Sequence, residues 1–480
     1  MRFKANRYLP KIFTAQLGSA VVRQTLGCSA VAPPFLSDET MVNHLFHAFL
    51  ASAIGLLFFA FQNYVPNYPV HQVDKDGFWK TGEIYKDDDQ IKPFSIDIDQ
   101  KRIENFKTKL KSEIVPKALI GDVGAESNEK FLTSLRKVML DFDWAQHQHF
   151  LNTFKQYTRE IEGLKIHFAR VSTPTGKNKR LVPLLILHGF PGSFWDFFKV
   201  IPILSNPSRH GFDFGLTDSI HFDVIIPSLP GFLFSEKPEL VGLDPGAIVR
   251  IITKLLERLD VYKYYVHGCQ GFGADLAALL ASQHPSNVLG LHLSDPFVPP
   301  TFSTSTFFKY AVEGFFDAGN NTSITEYFNS RPFARERNPT ALGIFAQNSP
   351  LGTAAYLMEL WRQYSIRNSE DVVTQLNERF TLDELATEIY LQWLTETVPI
   401  ALTVLDKAYN VDSSCSQVKV PTAVVYTPES PWRSSWEVLA HKFFNITRFT
   451  ELPKGGLFHH LQDAHKIAAD IFGFVEIELG

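Results

Sequence analysis

The stretch YYVHGCQGFGADLAALLASQHP, Tyr264–Pro285, passes from a β-branched and aromatic run through a cluster of glycines into an amphipathic, alanine- and leucine-rich segment. That order predicts a buried strand, a sharp turn and a helix, the geometry that lifts a nucleophilic side chain clear of a sheet. At the tip of the turn, however, stand Gln270 and Gly271. A carboxamide carries no anionic oxygen and glycine has no side chain, so the turn is built but holds no nucleophile.

Outward from this turn the chain keeps a strand and helix rhythm. LVPLLILHG (181–189), HFDVIIPSLPG (221–231) and VLGLHLSDP (288–296) read as buried strands, while FWDFFKVIPIL (194–204) and PGAIVRIITKLLERL (245–259) read as helices. Near-continuous apolar strands alternating with helices argue a mostly parallel sheet with helices on both faces. Between about Thr301 and Tyr409 strand signals fade, and GTAAYLMELWRQY (352–364) and LDELATEIYLQWLTETV (382–398) suggest a helical cap inserted over the strand ends. VPTAVVYT (420–427) and RFTEL (448–452) resume the sheet, and HKIAADIFGFVEI (465–477) closes the chain as a helix. Before the sheet, SIDIDQKRIENFKTKL (95–110) and EKFLTSLRKVMLDFDWAQHQHFLNTF (129–154) have helical spacing, and LKIHFARV (164–171) alternates as a strand.

The expected organisation is therefore a basic N-terminal segment (1–44), a membrane anchor (45–61), a polar linker (62–90) and an N-terminal helical region (91–160). The first part of the α/β core (161–300), the helical cap (301–409) and the second part of the core (410–480) follow. The anchor rests on LFHAFLASAIGLLFFAF, an uncharged run of 17 residues at the short end of what spans a bilayer; a buried core helix is the alternative. Residues 1–40 read as a targeting presequence or as a basic flank, and Met41 offers a second start. Basic residues ahead of the anchor would hold the N-terminus in the cytoplasm, and their removal would abolish that bias, so the orientation stays open.

Composition excludes other classes. A length of 480 residues with 45% hydrophobic content supports a large core, and a net charge of -5 without a basic stripe argues against nucleic acid as a partner. Cys28, Cys269 and Cys415 are far apart and follow no metal-ligand spacing, so neither a disulfide framework nor a metal or other cofactor is expected. The 42 phenylalanines against four methionines suggest bulky apolar pockets and one membrane-seeking segment.

HGFPGS (188–193) follows a buried strand ahead of the elbow, the place from which backbone N–H groups stabilise a developing oxyanion. His188, Gly189, Phe190 and Pro191 are the candidate residues of that turn. HGFPGSFWDFFKVIPIL, PSLPGFLFSE (227–236), HPSNVLGLHL (284–293), NSPLGTAAYLMELW (348–361) and IEGLKIHFARV (161–171) together resemble the microsomal epoxide hydrolase family, which includes insect juvenile hormone epoxide hydrolases. The resemblance runs from about Lys92 to the C-terminus. It implies an α/β-hydrolase fold with a cap and a single N-terminal anchor, in the endoplasmic reticulum membrane.

The resemblance also implies a two-step reaction: an aspartate opens the epoxide to an ester, a His–Glu pair activates water to hydrolyse it, and two cap tyrosines polarise the epoxide oxygen. The family's elbow reads Gly-Gly-Asp-Trp-Gly. Its aspartate falls on Gln270 counted from the strand and on Gly271 counted back from the helix. The family's histidine follows two glycines; here Gly455 and Gly456 precede Leu457, with His459 and His460 further on as candidates for a relocated base. VVYTPES places Glu429 at the acid position, with Asp295 as an alternative. The cap tyrosines fall on Gln392 and near Arg331, with Tyr390 and Tyr327 two and four residues away. Cys269 remains as a substitute nucleophile. The expectation is a family member that has lost its hydrolase chemistry and still binds a lipophilic ligand; the alternative is a working epoxide hydrolase with rearranged residues, for example Glu429 and His459.

Overall fold

The parallel strands and the elbow expected from sequence are joined by an antiparallel margin that the sequence did not announce, and together they form one nine-stranded mixed sheet. The structure is a computed structural model and describes residues 47, 49, 52, 55, 74–173, 179–212, 219–298, 339–366, 372–410, 417–430 and 433–479. The chain divides into two units, Met1–Asn63 and Tyr64–Gly480. Of the apolar run 45–61, the four described residues are helical and exposed, and the rest of that run, like Cys28, Cys415, Tyr327 and Arg331, lies outside the described residues. Among the described residues no helix is long and apolar enough to cross a membrane.

Strands β1 (Lys92–Phe94), β2 (Gln156–Ile161) and β3 (Leu164–Val171) pair antiparallel, and β3 joins β5 (Ser219–Pro227) in the same sense. From there β4 (Lys179–Leu187), β6 (Tyr264–Gly268), β7 (Val288–Ser294), β8 (Val418–Tyr426) and β9 (Phe443–Glu451) pair in parallel. Central strands are buried over most of their length, as both-face coverage by helices requires.

Helices α1 (Gln100–Ser112), α2 (Val123–Asp141) and α3 (Trp144–Leu151) lie between β1 and β2. The long periodic stretch 129–154 splits between the last two because the Asp143 side chain accepts the Gln146 N–H and starts a new helix. Likewise FWDFFKVIPIL divides: Ser193 and Asp196 form a reciprocal capping box on a short 3-10 turn, Phe194–Phe197, and α4 (Val200–Ser205) follows. Then come α5 (Pro245–Arg258) and the elbow helix α6 (Phe272–Gln283).

In the inserted region the described residues form helices only: α7 (Pro339–Asn348), α8 (Pro350–Ser365), α9 (Val372–Arg379), α10 (Leu382–Leu394) and α11 (Thr397–Asn410). The helix α10 seals the HGFPGS turn, since the Trp195 indole donates to Glu384 O and Gln392 Nε2 donates to Pro191 O. Its other side meets the N-terminal helices: Tyr390 packs on Phe106, Phe142 and Trp144, and its hydroxyl donates to Met139 O at 2.7 Å. The chain ends in α12 (Trp436–Lys442), the short α13 (His459–Gln462) and α14 (Ala464–Leu479).

The elbow depends on a close crossing of helix and sheet. A Cβ added at Gly273 would lie 2.3 Å from Leu187 O and 2.7 Å from the His188 carbonyl carbon, backbone atoms that cannot step aside. Only glycine lets α6 approach β4 this closely, and that approach brings the turn tip against the HGFPGS loop.

Candidate active site

At the elbow tip two consecutive residues take left-handed backbone angles, Gln270 with φ 55° and Gly271 with φ 66° and ψ -83°. Such a φ is costly for a residue with a Cβ and free for glycine. The helix begins at Phe272 with Gly271 as its N-cap, so both positions reached by counting lie in the turn itself. The Gln270 side chain is buried and folded back into the HGFPGS loop. Its Oε1 accepts the Gly189 N–H at 3.1 Å, and its Nε2 donates to Asp196 Oδ2 at 2.5 Å. An N–H of the loop expected to serve an oxyanion is thus taken by the chain's own amide. Gly192 makes room for this arrangement, because a Cβ there would sit 2.2 Å from Gln270 Oε1 and 2.1 Å from Asp196 Oδ2.

The other residues of the loop hold its shape. His188 reaches the Gly189 carbonyl with Nδ1 at 2.9 Å, and its Nε2 accepts the Leu229 N–H at 3.1 Å, which fixes the tautomer with the proton on Nδ1. Burial pushes this imidazole down to about 4. The Phe190–Pro191 peptide is cis, and Pro191 O accepts from Gln392.

Two carboxyls that sequence reasoning missed lie at the centre of the site. Asp196 takes the Gln270 amide and the Ser193 N–H on one oxygen, and burial pushes it up to about 7, with the nearby Glu384 charge acting in the same direction. Glu388 accepts from Ser193 Oγ at 2.8 Å and from Gln392 Nε2 at 2.6 Å; burial, then the charge of Asp196, holds it well above the ordinary carboxylate range. Gln270 at the elbow and Gln392 on the cap are thereby joined through Asp196, Ser193 and Glu388 into one buried network. A signal existed: Glu384, Glu388 and Gln392 recur every four residues along the helix and are all buried, a polar stripe facing inward.

The remaining candidates are engaged elsewhere. Glu429 is held by both terminal nitrogens of Arg379. Leu457 is buried, with its N–H on Tyr364 O at 2.9 Å. His459 Nδ1 lies 3.0 Å from Gly456 O and its Nε2 3.2 Å from Ser294 Oγ; Asp295 Oδ2 is 4.0 Å from Nδ1. Asp295 itself accepts the Thr427 N–H and hydroxyl, and burial pushes it up to about 7. Tyr390 faces the N-terminal helices, and burial holds the Cys269 thiol well above its ordinary range, so Cys269 is a protonated thiol in this site.

Residues 91–197 match the family profile described as "Epoxide hydrolase N terminus", and residues 182–461, more than half of the chain, match that of the alpha/beta hydrolase fold. The chain belongs to the epoxide hydrolase family. Among curated relatives, juvenile hormone epoxide hydrolase 2 of Ctenocephalides felis is 27% identical over 88% of this chain and 93% of that protein. Epoxide hydrolase 1 of Sus scrofa is 29% identical over 83% and 92%. The crystal structure of juvenile hormone epoxide hydrolase from the silkworm Bombyx mori superposes with a TM-score of 0.75, at 24% identity over 85% of this chain and 99% of that one. Aspergillus niger epoxide hydrolase has the same fold, with a TM-score of 0.62 and 23% identity over 81% and 96%.

Proposed function

We propose that this epoxide hydrolase family member binds a lipophilic ligand beneath its cap and has lost ring opening. The observation that carries the reading is the Gln270 amide, tied between the Gly189 N–H and Asp196. Opening an epoxide by the family's route needs an anionic oxygen at the tip and a base to activate water. A carboxamide supplies no such oxygen, and the aliphatic Leu457 stands where the base is expected. Loss of one member of such a unit costs orders of magnitude in rate, and losing several costs little more. Gln270, Gly271, Leu457, Gln392 and, at the acid position, Glu429 are the proposed vestigial site, and the boundaries 91–160, 161–300, 301–409 and 410–480 are the proposed domain limits.

Several relatives carry juvenile hormone in their names, which makes that hormone the first ligand to test. Incubated with juvenile hormone or another lipophilic epoxide, the purified chain is expected to bind saturably. It should form diol at least about 10⁴-fold more slowly than the silkworm enzyme, with no covalent mass shift. The approach of Asp295 to His459 supports a second reading, a hydrolase with rearranged residues. Diol formation abolished by His459→Gln would establish that reading and overturn the first.

The 17-residue apolar run 45–61 supports membrane association, of the endoplasmic reticulum by analogy with the family. The expressed full chain should stay in the membrane pellet through alkaline carbonate and leave it only with detergent. Release by carbonate alone would refute an anchor.

A further inference from the structure

The parallel sheet carries a second polar cluster, on neither the elbow amide nor the two carboxyls. His267 and Cys269 are two residues apart at the end of β6, the spacing that puts successive side chains on one face of a strand. His460 arrives from α13, beyond the last strand. The donor atoms of the three lie within 4.8 Å of one another, and all three residues are buried.

A chain of ring contacts backs this cluster. Asp470 Oδ2 lies 3.0 Å from His292 Nε2, His292 Nδ1 lies 2.9 Å from His267 Nδ1, and His267 Nε2 lies 2.7 Å from His460 Nε2. Asp470 is an acceptor, held as a carboxylate by Arg448 and Thr450 as well. With one proton on each imidazole, His292 donates to Asp470, His267 to His292, and His460 to the bare Nε2 of His267. That assignment leaves His460 Nδ1 as a lone pair, and it is buried with no hydrogen-bond partner. A lone pair there can take up a proton, so His460 can switch tautomer and offer its Nε2 as a ligand.

From these contacts the geometry points to a site for a thiophilic d10 cation, Zn²⁺ or Cu⁺, bound by His267 Nε2, His460 Nε2 and Cys269 Sγ. The cation takes the place of the proton shared by the two imidazoles. That proton moves to His460 Nδ1, the atom without a partner, and the Cys269 thiol releases its own proton to solvent as the sulfur binds. At tetrahedral angles and Zn–N distances of about 2.0–2.1 Å the two nitrogens stand about 3.3 Å apart, so the pair opens by roughly 0.6 Å. Thiolate with imidazole selects zinc and copper(I) over magnesium or calcium, which require oxygen donors. Behind the site, the donation from His267 through His292 to Asp470 is the outer arrangement that orients a metal-ligating imidazole and raises its basicity. Residues 193 apart in sequence make this set, which is why the cysteine spacing gave no hint of it.

The test uses the purified full chain, freed of metal by a chelator and titrated with Co²⁺ as a spectroscopic probe, with Zn²⁺ and, without oxygen, with Cu⁺. One equivalent should bind, with Co²⁺ giving a thiolate charge-transfer band and tetrahedral ligand-field bands. X-ray absorption of the zinc form should show one sulfur at about 2.3 Å and nitrogens at about 2.0–2.1 Å. Cys269→Ser should remove the charge-transfer band, and His460→Gln should weaken binding at least about tenfold, whereas Cys28→Ser with Cys415→Ser should leave both intact. Circular dichroism of the metal-free variants guards against misfolding, and the absorption measurement on the unaltered chain stands without any variant. The assignment fails if no equivalent binds, if the bound zinc shows no sulfur neighbour, or if the signal follows Cys28 or Cys415.

Discussion

Replacing Arg250 with methionine is expected to lower the unfolding free energy by about 3–5 kcal/mol, measured by urea denaturation. The reason lies in Glu162, a buried carboxylate with φ 53° at the turn between β2 and β3. Its Oε1 takes Arg250 Nε at 2.6 Å and Lys254 Nζ at 2.9 Å; its Oε2 takes Arg250 Nη2 at 2.8 Å and the Trp79 indole at 2.9 Å. Burial alone would raise this carboxyl, and it is the largest single influence, yet the four donors together hold it below its ordinary value of 4.5. The ion pair therefore contributes stability that is present above about 4.5 and is lost as pH falls through the depressed value. Removing the guanidinium leaves a buried charge with only a lysine and an indole, and breaking one side of a buried pair is far costlier than removing both. Glu162→Leu combined with Arg250→Met should accordingly recover most of the loss. A cost under about 1 kcal/mol for Arg250→Met would show that Lys254 alone suffices.

This cluster also shows why part of the fold was legible and part was not. Residues 74–90 look like a polar linker in the sequence, because Asp76, Asp87 and Lys80 are read as solvated charges. In the structure Lys80 pairs with Glu236, Asp87 accepts the Glu162 and Gly163 N–H groups, and Trp79 is buried. Charged residues whose partners lie 70 to 180 positions away carry no local signature. The central strands were legible because burial on both faces leaves a continuous apolar run, and the elbow because its glycines must cluster. Strand β2 was missed, since QYTREI alternates polar residues that hydrogen-bond at a sheet margin. Gln270 and Gln392, singled out by comparison with the family's motif, fall in one buried network in the structure. Asp196 was not legible, because in SFWDFF it reads only as a helix-capping residue, which it also is. Its second role, facing Gln270 across 74 positions, exists only in the folded chain.

That second role makes Asp196→Asn the most informative change at the site. Burial raises the folded carboxyl to about 7 from an ordinary value of 3.8, so the folded state favours the protonated acid. The sign follows directly: relative to a permanently neutral side chain, the aspartate's contribution is highest below 3.8. It falls as pH climbs through the window from 3.8 to about 7, because the unfolded chain gives up its proton there and the folded chain does not. At about 1.4 kcal/mol per pH unit, the full excursion is on the order of 4 kcal/mol. The substituted carboxamide would place its oxygen where Asp196 Oδ2 now accepts both the Gln270 amide and the Ser193 N–H, so the packing is conserved. The variant should therefore match the parent at pH 4 and exceed it by several kcal/mol at pH 8 in urea denaturation. Relief of the repulsion on Glu388 adds to the same trend, since the charge of Asp196 is the second influence raising that carboxyl. A stability difference that does not change between pH 4 and pH 8 would mean that Asp196 is ionised in the folded protein. The Gln270 amide would then be facing a true carboxylate within reach of the elbow, and the case for an inert site would need a different foundation.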